Sequence, residues 1–398
     1  MTRFTEDKFV VPSGGAGATG TGQPDVPSGS GTPAPAANRA TTGRESYRHA
    51  DHHGVPAYAA LDLGTNNCRL LVARPSRRNF LVIDAFSRII RLGEGVSVNG
   101  RLSDAAMTRT LEALRVCSVK LAKARVVRSR LVATEACRIA SNGQMFLDRV
   151  HRELGLDIEV LTRETEAKLA VSGCAALIDP DAELALVFDI GGGSSELIWL
   201  DLTKRQGPWR HSLTERVEAQ NCIAAWTSLP VGVVTLAERY GGRQVTAQSF
   251  ETMVDHVTQM LEPFEREYAF RDAMRRARTH LLGTSGTVTT IAGIHLGLPR
   301  YDRARVDGCW MRTDDAQSIV RSLLDRTYEE RVAEPCIGRD RADLVLAGCA
   351  ILEALLRTWP CERIRVADRG LREGILATLM AEDGVYRGSR RHEGRNRQ

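Results

Sequence analysis

A short motif that occurs twice sets the terms on which this 398-residue chain can fold. Its first copy is Ala60-Leu61-Asp62-Leu63-Gly64-Thr65-Asn66-Asn67. The second, 127 residues later, is Val187-Phe188-Asp189-Ile190-Gly191-Gly192-Gly193-Ser194-Ser195-Glu196. In each, an apolar run ends on an aspartate, glycines follow, then hydroxyl or amide side chains, then a second apolar run. That is the pattern of strand, tight turn and strand. Glycines let a backbone approach a ligand closely and aim its N–H groups at it, a nest that suits phosphate oxygens. A carboxylate beside such a nest repels phosphate directly. It makes sense if a divalent cation sits between them, and hard oxygen ligands with retained waters suit Mg²⁺. One copy alone would read as a hairpin turn, where Asp and Gly are common. Two copies, each opening its own run of strands, point to a duplicated phosphate and metal site.

The rest of the chain agrees with duplication, because its length exceeds what one hydrophobic core usually covers. Strand-like runs at 57–63, 69–73 and 81–86 predict an antiparallel meander, and 184–190 with 196–201 repeat its opening. Further strands are expected at 130–133, 158–161, 281–282 and 364–367. Helical spacing marks 103–124 (capped by Ser103), 142–154, 163–177 (capped by Thr162), 250–276, 287–296, 316–325, 341–358 and 371–381. Strands alternating with helices mean α/β architecture. A turn at 179–182 divides a first domain, 57–178, from a second, 179–383.

Composition places the flanks outside the fold. Between Pro12 and Gly43, 27 of 32 residues are Gly, Pro, Ala, Ser or Thr. Such a stretch cannot bury enough apolar surface to offset its ordering entropy, so 1–56 is expected to be disordered. The formal charge of +5 is a tail property: 384–398 carries five arginines and one glutamate, and 1–56 sums to zero. The body that remains, near neutral, offers no broad nucleic-acid footprint, so no DNA partner is expected. No apolar run is long enough to span a bilayer, so no membrane association is expected either. Nine cysteines, none spaced C-x-x-C, read as reduced and buried in a cytoplasmic protein.

These segments together resemble the exopolyphosphatase / guanosine pentaphosphate phosphohydrolase family of the actin–Hsp70–sugar kinase superfamily. The likeness rests on both turns, on Arg91-Leu92-Gly93-Glu94-Gly95 and on Ala133-Thr134-Glu135-Ala136-Cys137-Arg138. Ser228 to Val234, Gly283 to Thr287 and Asp368 to Gly374 carry it to residue 374. It implies two ribonuclease-H-like (actin-like ATPase) domains with a cleft between them, holding inorganic polyphosphate or guanosine pentaphosphate with Mg²⁺. It leaves open whether the protein is a homodimer. In the family a Glu-Glu-Ala segment opens the 163–177 helix, and Glu166 matches its proposed catalytic base. Thr165 replaces the first glutamate and Arg163 stands where glycine is common, which puts the local geometry in question. Arg138 matches an arginine expected to reach the phosphate chain. Arg91, beside a Gly-Glu-Gly turn, fits phosphate binding and equally a solvated strand end. Asp62, Asp189 and Glu196 would hold or orient the metal. Gly64, Thr65, Asn66, Gly191, Gly192, Gly193, Ser194 and Ser195 would donate to oxyanions. The 283–287 loop is expected to line the cleft, while Cys68 and Cys137 read as bystanders.

The leading functional expectation is release of terminal orthophosphate from polyphosphate, with removal of the γ-phosphate of guanosine pentaphosphate as the alternative. The chain ends soon after residue 383, without the helical C-terminal region of longer family members, and this favours neither substrate. A kinase would need a carboxylate aimed at a bound alcohol. An Hsp70-like protein would need a further substrate module. A non-catalytic phosphate sensor takes its support from Thr165.

Overall fold

The computed structural model describes residues 55–76, 79–205 and 213–385. The expectations for 1–56 and 384–398 fall outside the described residues, apart from two positions at the inner end of each.

The first sheet begins with the antiparallel meander β1 (Ala57–Leu63), β2 (Asn67–Ser76) and β3 (Asn79–Ile89). On the other side of β1, β4 (Val126–Ala133) and β5 (Ile158–Val160) run parallel to it, giving the order β3-β2-β1-β4-β5. The second sheet repeats this plan. Its meander is β6 (Leu184–Ile190), β7 (Ser195–Asp201) and β8 (Ile223–Leu229). β9 (Thr279–Thr284) pairs parallel with β6. Beyond it lie β10 (Trp310–Arg312) and β11 (Arg363–Ala367), in the order β10-β11-β9-β6-β7-β8. The central strands β1 and β6 are covered on both faces, which is why they read as continuous apolar runs.

Helices fill both faces of each sheet, and two of them cross the expected boundary at 178/179. The helix Arg163–Cys174 follows the first sheet in sequence. It buries Ala167, Val171 and Cys174 against Ala185, Val187, Ile198 and Leu200 of the second. The helix Leu371–Glu382 follows the second sheet and lays Ile375, Leu376 and Met380 on Tyr58, Ala60 and Leu71 of the first. The two helices touch backbone to backbone. A Cβ at Gly173 would lie 1.9 Å from the Gly370 carbonyl oxygen, and one at Gly374 1.9 Å from that of Leu169. Only glycine permits this approach. Each lobe is thus completed by a helix from the other half of the chain.

The expected single helix at 250–276 is two, Ala247–Tyr268 and Phe270–Arg276, broken at Ala269 with φ of 50°. The break turns Phe270 inward to stack on Trp199, with ring centroids 4.3 Å apart. Burial of an aromatic pair outweighs local helical preference there. The helix expected at 341–358 begins at Val345, leaving Arg341 on the turn before it.

Candidate active site

Parallel pairing puts the site where it is. β1 and β4 end in register at Leu63 and Ala133, and the Thr134 N–H donates to the Leu63 carbonyl at 3.2 Å. The Glu135–Ile139 helix therefore starts beside Gly64. The Leu161 N–H donates to the Ala133 carbonyl at 3.0 Å, and Thr162 then caps the helix Arg163–Cys174 by accepting from the Thr165 N–H. Glu166 sits one turn into that helix. The second turn meets the first across the cleft: a Cβ on Gly193 would come within 2.8 Å of Thr65 Oγ1, and one on Gly192 within 3.0 Å of Thr65 Cβ. Glycine allows the two turns to pack.

A cleft opens beside this contact and is lined by both turns. Gly64, Thr65, Asn66, Glu166, Asp189, Gly191, Gly192, Gly193, Ser194 and Glu196 all line it, as do Ser285, Gly286 and Thr287 of the expected loop. Four expected residues do not. Ser195 is buried with its hydroxyl donating to the Val231 carbonyl at 2.7 Å, because alternation along β7 turns it into the protein. Asp62 is paired across the hairpin with Arg69 and lies close enough to Glu166 and Asp189 to repel both. Arg91 donates from both terminal nitrogens to Asp343, at 2.9 and 3.0 Å, and clasps the rim. Arg138 has its donors taken by protein: Nε to the Leu161 carbonyl (2.9 Å), Nη1 to Glu135 (2.7 Å) and Nη2 to Glu166 (2.5 Å). In this arrangement Arg138 holds the expected base rather than a phosphate.

The carboxylates are held at a cost to their charge. Burial raises Glu166 to about 7 against the pull of Arg138, with Asp62 and Asp189 adding repulsion. Burial raises Asp189 to about 6, partly countered by Arg69. Glu196 is raised well above the carboxylate range by burial and then by Glu166 and Asp189. Burial raises Asp62 too, opposed by Arg69 and Arg372. An acid near neutrality within reach of a bound water has the properties of a general base. Burial pushes the Cys137 thiol up to about 12, which keeps it protonated and unreactive at neutral pH.

Among the described residues no three His, Cys, Asp or Glu side chains form a ready-made metal cage. The donor chemistry nevertheless fits a hard divalent ion. Ser194 and Ser228 both donate to the same Glu196 oxygen, Oε1, at 2.7 and 3.0 Å, so neither occupies Oε2, and Glu196 lines the cleft on the strand paired with Asp189. One or two carboxylates, with water and substrate oxygens completing the shell, are a common way to hold Mg²⁺.

Sequence reasoning missed three charged cleft residues: Arg69, Glu135 and Arg341. Arg69 was readable, because it lies seven residues after Asp62 as Glu196 lies seven after Asp189, and both pairs face each other across their hairpins. Glu135 was visible in the 133–138 segment but is given its place only by the ion pairs it makes. Arg341 depends on where the following helix begins.

Comparison with known proteins completes the description. A Guanosine-5'-triphosphate,3'-diphosphate pyrophosphatase of Aeromonas salmonicida is 30% identical over 332 residues, covering 83% of this chain and 61% of the relative. The chain thus spans about three fifths of that relative's length. Exopolyphosphatase 2 of Mycobacterium tuberculosis is 28% identical over 335 residues, covering 81% of this chain and 98% of that protein. Among solved structures, an Aquifex aeolicus Ppx/GppA protein is 26% identical with a TM-score of 0.66, covering 83% of this chain and 99% of the other. An exopolyphosphatase from Cytophaga hutchinsonii is 25% identical with a TM-score of 0.71, covering 82% and 98%. A sequence profile of the Ppx/GppA phosphatase family matches residues 71–383. The chain belongs to the Ppx/GppA phosphatase family.

Proposed function

We propose that this protein is an Mg²⁺-dependent exopolyphosphatase that hydrolyses the terminal phosphoanhydride of inorganic polyphosphate. The observation that carries the reading is Glu166, partly buried in the wall of the cleft that both turns line and raised to about 7. Its carboxylate takes a proton from water as the water oxygen bonds to the terminal phosphorus. The bridging P–O bond then breaks and its electrons stay on the shortened chain. The Gly64 and Gly191 N–H groups close their own turns on the Asn67 and Ser194 carbonyls, each at 2.9 Å. The N–H groups left to meet the oxyanions are those of the turn residues that follow, with the Arg69 guanidinium at the cleft wall. Asp189 and Glu196 would hold Mg²⁺, which when bound neutralises non-bridging phosphate oxygens.

The second reading is removal of the γ-phosphate of guanosine pentaphosphate by the same site, and it draws on the name of the Aeromonas salmonicida relative. Polyphosphate is placed first because the described residues lining the cleft include no aromatic ring on which a purine would stack. The test is phosphate release from polyphosphate, guanosine pentaphosphate and ATP side by side, with parent and Glu166→Gln. The parent should act fastest on polyphosphate, and the variant should lose about 10²–10⁴-fold in kcat with little change in KM. Faster release from guanosine pentaphosphate reverses the order of substrates. An unimpaired Glu166→Gln removes the assigned base.

A further inference from the structure

The Glu166 carboxylate is the end of a chain of four alternating charges. Arg163 Nη2 donates to Glu135 Oε1 at 2.7 Å, and Glu135 Oε2 accepts from Arg138 Nη1 at 2.7 Å. Arg138 Nη2 in turn donates to Glu166 Oε2 at 2.5 Å. Glu135 is only 3% exposed, and both its oxygens are taken by arginines. The chain closes on itself through the backbone. Arg138 Nε binds the carbonyl of Leu161, the residue just before the cap of the helix that carries both Arg163 and Glu166.

We propose that Glu135 and Arg163 are positioning residues of the hydrolytic reaction, fixing the Arg138 guanidinium so that it holds Glu166 in one orientation toward the cleft. The inference rests on the reading of Glu166 as the base. A guanidinium bound only to Glu166 and one carbonyl has freedom to swing toward substrate oxyanions and take the carboxylate with it. Glu135 removes that freedom by occupying the fork on its second side. Arg163 in turn neutralises Glu135 from the half-exposed rim, so that a buried carboxylate is not left with half its charge uncompensated. Arg163 itself does not line the cleft, so any effect it has on turnover travels through Glu135.

The experiment is a double-mutant cycle on the full chain with polyphosphate and Mg²⁺, using Glu135→Gln, Arg163→Ala and the pair. Glu135→Gln is isosteric, and Arg163→Ala changes a half-exposed side chain, so melting temperatures report whether each variant folds. Glu135→Gln should lower kcat about 10–100-fold, as a misplaced base does, with KM within about twofold. Arg163→Ala should lower kcat less, Arg163→Lys should recover most of that loss, and the double variant should be no slower than Glu135→Gln alone. Multiplying losses in the double variant overturn the relay, as does a KM that rises in step with the fall in kcat, or an unchanged kcat in both single variants. A parent inactive on every substrate overturns the hydrolase reading and this inference together, whereas an active parent with unaffected variants overturns only this one.

Discussion

The two turns have the same backbone plan and different cross-strand partners. In the first, Asp62 faces Arg69 across β1 and β2; in the second, Asp189 faces Glu196 across β6 and β7. An acid opposite a base largely satisfies itself, and Asp62 rises against the counter-pull of Arg69 and Arg372. At the second turn the cross-strand partner is another acid. Burial raises Asp189 to about 6, with Arg69 pulling down and Asp62 pushing up. Glu196 is raised by burial and then by Glu166 and Asp189, although Ser194 and Ser228 donate to it. The two hairpins therefore differ at one cross-strand position, a basic residue in the first and an acidic one in the second. The first contributes Arg69, whose charge acts on Asp62 and on Asp189. The second concentrates negative charge that a cation from solution would relieve.

Removing charge from one turn and then the other should break that symmetry most visibly. Asp189→Asn is expected to raise the Mg²⁺ concentration for half-maximal activity about tenfold, equivalent to about 1.4 kcal/mol of cation binding. Asp62→Asn, beside Arg69, should shift the same titration no more than about twofold to threefold, a difference of under about 0.7 kcal/mol. Titrations of phosphate release against Mg²⁺ for the parent and the two variants decide it. Equal shifts would mean that both aspartates serve the ion alike, and the asymmetry drawn from their partners would fall.

How far the sequence revealed this division depends on the range of the interaction. The turns, the β1 to β2 and β6 to β7 hairpins and the helix cap at Thr162 are local, so periodicity and turn residues make them legible in the sequence itself. The seven-residue spacing even contained Arg69. What stayed hidden is set by contacts between distant segments. The engagement of Arg138 with Glu135, Glu166 and Leu161 brings two helices together, and nothing in either segment alone says that an arginine will spend its donors on protein. The exchange of helices between lobes, read in the contacts of Gly173 with Gly370 and of Gly374 with Leu169, likewise joins residues about 200 positions apart, and composition gives no hint of it.

The charge stored at the second turn should also appear in stability. A carboxyl whose folded pKa is raised binds protons in the folded state that the unfolded chain has already released. Its contribution is therefore fully present below the ordinary carboxylate range and is lost as pH rises through the folded value. For Asp189 and Glu166 that window runs from about 4 up to about 6 and 7, respectively. Without divalent cations, Asp189→Asn should therefore gain on the parent in melting temperature as pH goes from about 5 to about 8, by roughly 2–4 °C. Added Mg²⁺ should shrink the gap at the higher pH by stabilising the parent. Asp62→Asn, whose partner is cationic, should show a smaller gain. A gap that narrows with rising pH in the absence of cations would contradict the direction of the shifts.

The smallest expected effect concerns Arg91, which supports the first turn from outside. The backbone N–H groups of Ile90 and Arg91 donate to the Asn66 carbonyl at 2.9 and 3.1 Å, so this segment braces the turn through its main chain. The Arg91 side chain is engaged elsewhere, on Asp343 of the other lobe, in a partly exposed ion pair. Such pairs contribute about 0–1 kcal/mol. Arg91→Ala should then leave kcat and KM for polyphosphate within about threefold of the parent, a free-energy change of at most about 0.7 kcal/mol. Asp343→Ala should match it, since both remove the same clasp. If Arg91→Ala instead raises KM more than tenfold while Asp343→Ala leaves it unchanged, the guanidinium leaves Asp343 for the substrate during turnover. The first turn would then draw on two arginines, and the contrast with the acid-rich second turn would be sharper than the resting geometry shows.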